Sequence, residues 1–299
     1  MSVLNDIGCD FEVASEGEFD KLINIGVDSN KIICSLPVKK ISTIEYLYKK
    51  GCRYFVFDDK RELEKLAELA PQSKKILRIY VADVTPENIE FGMTYSEFQS
   101  VSESSDLINK IDGLTFYILN NVDIDRLEKV LSRCEKFFEK LKANNKILNI
   151  GGNYDLGRNL TPNFYERLQK RINNMIEKYG ITVIAEPGRS IVKTAVKLFT
   201  EVVLIKDRGE YKQIFIDASS QIVKLKPSNV TLVNRKNFSD KKHMYKFYEN
   251  LCSHYKLFEM ELDFEISEGD VLSLEDYGCY SICFSNGFHG AYPPEQITI

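Results

Sequence analysis

Short apolar runs alternate with amphipathic stretches through the first two thirds of the chain. Seven runs stand out: Asp10–Val13, Lys31–Cys34, Tyr54–Phe57, Ile76–Tyr80, Gly113–Ile118, Ile147–Ile150 and Thr182–Ala185. They are rich in Ile, Val, Phe and Tyr and carry no polar stripe, the pattern of parallel strands covered on both faces. The stretches between them have helical periodicity. Ser15 with Glu18 three residues on forms a capping box for a helix reaching about Ile25. Further helices are predicted over Ile41–Lys50, Lys60–Leu69, Ile124–Asn144 and Asn163–Lys178. Strands recur about every 20 to 35 residues, as βα units require. An α/β architecture with a parallel sheet follows. A closed TIM-type barrel has eight strands. None is predicted before Asp10, so the expectation is a β/α barrel lacking its first strand.

From about Lys193 the pattern changes. Ala195–Ile205, Tyr211–Asp217, Asn229–Val233, Asp263–Glu265 and Tyr280–Cys283 read as strands with few helices between them. The expected boundary therefore separates a barrel domain, 1–192, from a mostly antiparallel β domain, 193–299.

Composition changes little in this picture. The 299 residues are 43% hydrophobic and 28% charged, enough for one or two cores. Forty basic against forty-four acidic residues leave a formal charge of −4, which gives no electrostatic pull toward nucleic acid or an anionic membrane. No apolar run is long enough to span a bilayer, and no signal peptide is visible at the start. Seven dispersed cysteines, an odd number, without a CxxC pair read as reduced thiols in the cytoplasm. With three histidines, a histidine-rich metal site is not expected.

Candidate chemistry sits at strand ends. Glu186-Pro187-Gly188-Arg189 closes a predicted barrel strand, where catalytic residues of such barrels collect. Gly188 suits a close backbone approach and a positive φ. Arg189 can present a fork to a phosphate, and a carboxylate such as Glu186 can hold a heterocyclic nitrogen protonated. The paired glycines Gly151 and Gly152, after the preceding strand, can turn backbone N–H groups to an anion. In the second domain, Gly278 and Asn286-Gly287 are turn signals, while Tyr280 is either a phosphate donor or core. Cys252 is either a general acid or a small buried hydrophobe. A Cys252/His254 hydrolase lacks an evident third group to orient the pair.

At Glu186-Pro187-Gly188-Arg189 the chain resembles fold-type III pyridoxal-phosphate (PLP) decarboxylases, the ornithine/diaminopimelate/carboxynorspermidine family. Other segments resemble that family in order. They are Phe11-Glu12-Val13-Ala14-Ser15, Leu77-Arg78-Ile79, Phe91-Gly92-Met93, Ile150-Gly151-Gly152, Leu251-Cys252, Tyr277-Gly278-Cys279-Tyr280 and Ser285-Asn286-Gly287-Phe288. The resemblance implies that Glu186 pairs with the pyridine nitrogen of the cofactor. It implies that Gly152, Gly188, Arg189 and Tyr280 hold the phosphate, that Gly151 and Tyr117 also belong to the cofactor site, and that Arg78 lies under the ring. Cys252 would be the protonating acid, delivered across a dimer interface.

The departures from the family pattern are also informative. The family's cofactor-binding lysine precedes the F-D-V-A-S segment, and no such lysine precedes Asp10. Tyr117 stands where the family has a ring-stacking histidine, Asn153 where it has a third glycine, and Ser253 where amine-type substrates meet an aspartate. The resemblance therefore implies a polyamine- or diaminopimelate-type amino-acid decarboxylase that is truncated or degenerate at its start, impaired without the lysine, and able to hold PLP non-covalently. Two alternatives stand beside it. One is a catalytically inactive paralogue that acts as a regulatory or binding subunit. The other is a carrier of PLP or another phosphorylated ligand. The implied partners are a second copy or a decarboxylase-like subunit, and a small amino acid or amine.

Overall fold

The computed structural model describes residues 1–84, 90–118, 123–152, 161–224, 226–233, 241–252, 255–285 and 293–298. It falls into two compact units, Met1–Gly188 and Arg189–Ile299.

The first unit is built on one parallel sheet. Its strands are β1 (Phe11–Val13), β2 (Ile32–Cys34), β3 (Tyr54–Phe57), β4 (Lys74–Arg78), β5 (Gly113–Thr115), β6 (Lys146–Asn149) and β7 (Ile181–Ile184), paired in that order. Helices connect them: α1 (Ser2–Asp6) precedes β1, then come α2 (Glu16–Asn24), α3 (Ile41–Lys49), α4 (Lys60–Leu69), α5 (Tyr95–Ser102), α6 (Ser105–Ile108), α7 (Ile124–Phe138) and α8 (Pro162–Tyr179). Among the described residues β1 and β7 do not pair with each other, so the expected β/α barrel is present but does not close.

Local chemistry sets the helix ends. Ser15 accepts from the Glu18 N–H, as predicted, but the Glu18 carboxylate accepts from Ala14 N at 2.7 Å, one residue before the cap, so the return half of the predicted box is shifted off the Ser15 N–H. Asp59, Asp123 and Thr161 cap α4, α7 and α8 through their side-chain oxygens. Helix α7 stops at Phe138, short of the expected Asn144, where the apolar face of Leu127, Val130, Leu131, Cys134, Phe137 and Phe138 ends. Strand β4 begins two residues earlier than expected, because Lys74 and Lys75 pair with Tyr54 and Phe55.

Alternation sorts side chains between the two faces of the sheet. Phe11, Val13, Ile32, Cys34, Phe55, Phe57, Leu77, Leu114 and Leu148 point outward and pack with the helices in one core. At about 1.5–3 kcal/mol for each large buried side chain, this layer holds the unit together. Ile33, Val56, Ile76 and Ile147 form a smaller inner cluster. The polar residues beyond it, at the carboxyl ends of the strands, line the inner face.

The second unit begins with the end of the short helix α9 (Gly188–Val192). It contains β8 (Leu198–Asp207), β9 (Lys212–Ile216), β10 (Val230–Leu232), β11 (His243–Glu249), β12 (Lys256–Leu262) and β13 (Val271–Leu274), in the order β10-β13-β8-β9-β11-β12. Every pair is antiparallel except β9 with β11, so the sheet is mixed but mostly antiparallel. Two expected strands are corrected here. Asp263–Glu265 follows β12 rather than forming a strand. Tyr280–Cys283 cannot be extended, because Tyr280 has φ +50° and Ile282–Phe284 is a 3-10 turn. Strands β11, β12 and β13 lie outside the predicted runs. In β11, alternate residues are buried, with Tyr245 and Phe247 inside.

Candidate functional site

Polar and aromatic side chains gather around Glu186 on the inner face of the parallel sheet, most of them at the carboxyl ends of its strands. Glu186 follows β7, and its carboxylate Oε1 accepts from Asn149 Nδ2 at 2.6 Å and from Ser35 Oγ at 3.4 Å. Asn149 ends β6 and Ser35 follows β2, so the sheet curls far enough for residues near its two edges to touch. Burial pushes the Glu186 carboxyl above its ordinary value, against the lowering effect of the Asn149 and Ser35 hydrogen bonds and the Arg78 charge.

Glu12 lies on β1 between two outward residues, so its side chain takes the inner face. Its surface remains accessible to water, yet the protein around it, the Glu186 charge beside it and Glu18 push its carboxyl up to about 7, while a Ser35 hydrogen bond pulls the other way. Arg78, at the end of β4, holds its guanidinium 5.3 Å from the Phe91 ring centroid and 5.9 Å from that of Tyr117. Asp58 lies near Arg78 and accepts from Gly92 N at 3.1 Å.

The glycine reading divides. Gly151 has φ +70°, and a Cβ there would lie 2.6 Å from the Phe116 carbonyl oxygen. Its N–H donates to Asn149 Oδ1 at 2.9 Å. Gly152 leaves room against the Glu186 carbonyl oxygen, which a Cβ would approach to 2.3 Å. Gly188 is corrected: it opens a right-handed helix, its φ is not positive, and nothing lies within 4 Å of where a Cβ would stand. Gly152→Ala is accordingly expected to cost about 1–3 kcal/mol, as overpacking against backbone does. Gly188→Ala should stay within about 0.5 kcal/mol. Urea unfolding of both variants checks the contrast, and equal losses would refute it.

In the second unit, the Arg189 guanidinium lies 5.5 Å from the Tyr280 ring centroid, and Tyr280 is half exposed. Arg189 Nε is shut off from water and meets no hydrogen-bond partner among the described residues. An orphaned buried donor is costly unless a ligand completes it. Cys252 is exposed in the segment between β11 and β12. Asn153, Ser253, His254 and Asn286-Gly287-Phe288 lie outside the described residues.

In the first unit the buried Glu186 carboxyl fits a pyridine ring nitrogen, and in the second the Arg189 Nε, a buried donor without a partner among the described residues, fits an anion such as a phosphate. Residues 1–193 match the family model described as "Pyridoxal-dependent decarboxylase, pyridoxal binding domain". The chain belongs to this pyridoxal-dependent decarboxylase family. It is 28% identical to mouse ornithine decarboxylase over 219 residues, 69% of this chain and 47% of that protein. It is 27% identical to mouse antizyme inhibitor 2 over 216 residues, 68% of this chain and 47% of that one. The chain thus spans about half the length of these relatives. Its fold is that of the arginine decarboxylase of Paramecium bursaria Chlorella virus, with TM-score 0.83 at 21% identity over 96% of this chain and 83% of that one. Among the described residues no helix is long and apolar enough to cross a membrane.

The sequence singled out Arg78, Tyr117, Gly151, Gly152 and Glu186, and all five lie at strand ends of the first unit. It passed over Ser35 and Asn149, and quoted Glu12 only as part of a resemblance. Asn149 had one visible signal, a lone amide inside the apolar run Ile147–Ile150.

Proposed function

We propose that the chain binds PLP at the strand ends of the parallel sheet and belongs to an amino-acid decarboxylase-like protein of the polyamine or diaminopimelate type. The observation that carries this reading is Glu186, a buried carboxyl held by Asn149 and Ser35 with Arg78 nearby. A carboxyl so placed suits a ring nitrogen that must keep its proton. When bound, the cofactor supplies an electron sink for loss of a substrate carboxylate. The chain's own residues do the rest. Glu186 holds the nitrogen's proton, and Tyr117 and Arg78 offer a flat aromatic and guanidinium surface to the ring. Gly151, Gly152, Arg189 and Tyr280 supply the anion-binding groups, with Gly188 opening the helix that carries Arg189. Cys252 is the acid that returns a proton to product. Binding is non-covalent in this reading, and decarboxylation by this chain alone is weak.

A second reading is an inactive subunit that pairs with a decarboxylase-like partner. It is favoured by the equal likeness to a decarboxylase and to an antizyme inhibitor, 28% and 27% identity over nearly the same length. Tyr117 in place of the family's histidine points the same way.

Titrating the purified chain with PLP and following the visible absorbance tests the main reading. Saturable binding that Glu186→Ala weakens at least tenfold is expected, the worth of one lost charge-assisted hydrogen bond at about 1.5–3 kcal/mol. Borohydride should leave the protein mass unchanged. Site-specific addition of a pyridoxyl group would overturn non-covalent binding. Absence of any saturable signal would overturn the cofactor reading and leave the partner-binding one.

A further inference from the structure

Asn149 is 1% exposed at the end of β6, in register with Thr115 of β5 on one side and Ile184 of β7 on the other. A buried amide needs partners for both of its ends. Asn149 finds them on two different segments. Its Oδ1 accepts from Gly151 N at 2.9 Å, and its Nδ2 donates to Glu186 Oε1 at 2.6 Å. The Glu186 backbone N–H in turn donates to the Gly151 carbonyl at 2.8 Å. Three hydrogen bonds thus close a ring, from Glu186 to Gly151, from Gly151 to Asn149 and from Asn149 back to Glu186.

Donor counting fixes the sense of that ring. A backbone N–H can only donate, so the amide end facing Gly151 must be the oxygen, and the end facing Glu186 must be the NH2. Glu186 Oε1 is therefore an acceptor, and Ser35 Oγ donates to the same atom at 3.4 Å. Any proton that Glu186 carries sits on Oε2. That atom meets no donor among the described residues and is not shut off from water. It is the atom left to meet a ligand. The glycine turn is sorted in the same way. The Gly151 N–H is engaged inside the ring, so Gly151 contributes the bend at φ +70°. The Gly152 N–H has no acceptor among the described residues and stays available.

We propose that Asn149 is a positioning residue whose amide locks Glu186 and the glycine turn into one unit, with Oε1 held by the protein and Oε2 presented to the ligand. This rests on the reading of Glu186 as the carboxyl that meets the ligand's ring nitrogen. Neither the carboxyl nor the turn can shift without breaking a bond of the ring. Gly152 adds to the constraint, because it packs against the Glu186 carbonyl with no room for a Cβ. The charged groups facing Glu186 are the Arg78 guanidinium from β4 and the Glu12 carboxyl from β1. Asn149 adds a donor to them without adding charge. An aspartate in its place would still accept from Gly151, but its second oxygen would face Glu186, and two ionised carboxylates cannot close the ring. An amide closes it at any pH.

The test uses Asn149→Leu and Asn149→Asp, with Glu186→Gln to assign the Glu186 signal. Carbon-13 NMR of the ligand-free chain, with glutamate labelled, follows the Glu186 carboxyl across pH. The Asn149 hydrogen bond opposes the upward push of burial on that carboxyl, so Asn149→Leu should move its titration to higher pH. Asn149→Asp should do the same, because two carboxyls sharing one proton titrate as a pair. Affinities for PLP and for pyridoxal are measured over the same range, relative to wild type. Asn149→Leu should weaken both ligands about tenfold at every pH. Asn149→Asp should bind as wild type does while the pair keeps its proton, and fall about tenfold below it as pH rises and the proton is lost. A merely structural role would not give that recovery at low pH. Should Asn149→Leu not fold, the pH step of Asn149→Asp carries the test. A Glu186 titration unchanged in folded Asn149→Asp would overturn the proposal. So would a loss in Asn149→Leu confined to PLP, since the variant would then act through the phosphate end and not through Glu186. Shifted titrations without binding of either ligand to wild type would sink the cofactor reading and leave the ring standing. Wild-type PLP binding that both variants match at every pH would sink the positioning role alone.

Discussion

Replacing Glu62 with alanine is expected to lower the unfolding free energy by about 3–5 kcal/mol, the scale for removing one partner of a buried ion pair. Lys39 has no exposed side-chain surface, and Glu62 has 5%. The Lys39 ammonium lies 3.0 Å from Glu62 Oε1 and donates to the carbonyls of Val56 at 2.6 Å, Leu36 at 2.9 Å and Pro37 at 3.2 Å. Glu62 also accepts from the Lys39 backbone N–H and pairs with Lys65. Burial pushes the Lys39 ammonium below its ordinary value, and Glu62 opposes that push. Without Glu62 the ammonium keeps its carbonyls but loses its counter-charge. Adding Lys39→Met to Glu62→Ala removes the orphaned charge. The double variant should recover about half of the loss, the coupling expected of residues in one network. The remainder reflects the Lys39 N–H and the lost partner of Lys65. Urea unfolding followed by circular dichroism gives all three values. A double variant as unstable as the single one would show that packing, not charge, sets the cost.

Arg189→Ala is expected to weaken PLP binding about a hundredfold. Two charge-assisted hydrogen bonds to phosphate at about 1.5 kcal/mol each give that factor. Arg189→Lys should recover little of it, because a point charge cannot reproduce the planar fork. The free chain should not become less stable, since Arg189 Nε donates to no described residue and the variant removes an orphaned donor. Calorimetry with PLP and with pyridoxal, which lacks the phosphate, separates the causes. A loss confined to PLP supports a phosphate role. An equal loss for pyridoxal would mean that Arg189 shapes the site through its contact with the Tyr280 ring instead.

Much of the first unit was legible in the sequence because its signals are local. Apolar runs marked all seven strands of the parallel sheet to within a few residues, and Tyr54–Phe57 and Lys60–Leu69 coincide with β3 and α4. The Ser15 cap forms as predicted because it joins residues three apart. The second unit was less legible. His243–Glu249 and Lys256–Leu262 alternate apolar with charged residues, as strands with one wet face do, and so do not look like buried runs. Tyr280 looked extended by residue type, but its left-handed φ ends that reading. Gly188 looked like the strained glycine of its segment, yet the crowding falls on Gly151 and Gly152.

The sequence by itself determined the order of strands and helices in the first unit, the change of pattern near Lys193 and the family, because periodicity, caps and short motifs act between near neighbours. Only the tertiary structure decided which polar groups meet. Ser35 touches Glu186 across 151 positions of chain and Asn149 does so across 37, through the curl of a sheet that no local pattern encodes. Period-two alternation tells a side chain which face to take, but not which side chain on another strand it meets there. That pairing follows from strand order, register and twist, which arise when the whole sheet assembles against its helices.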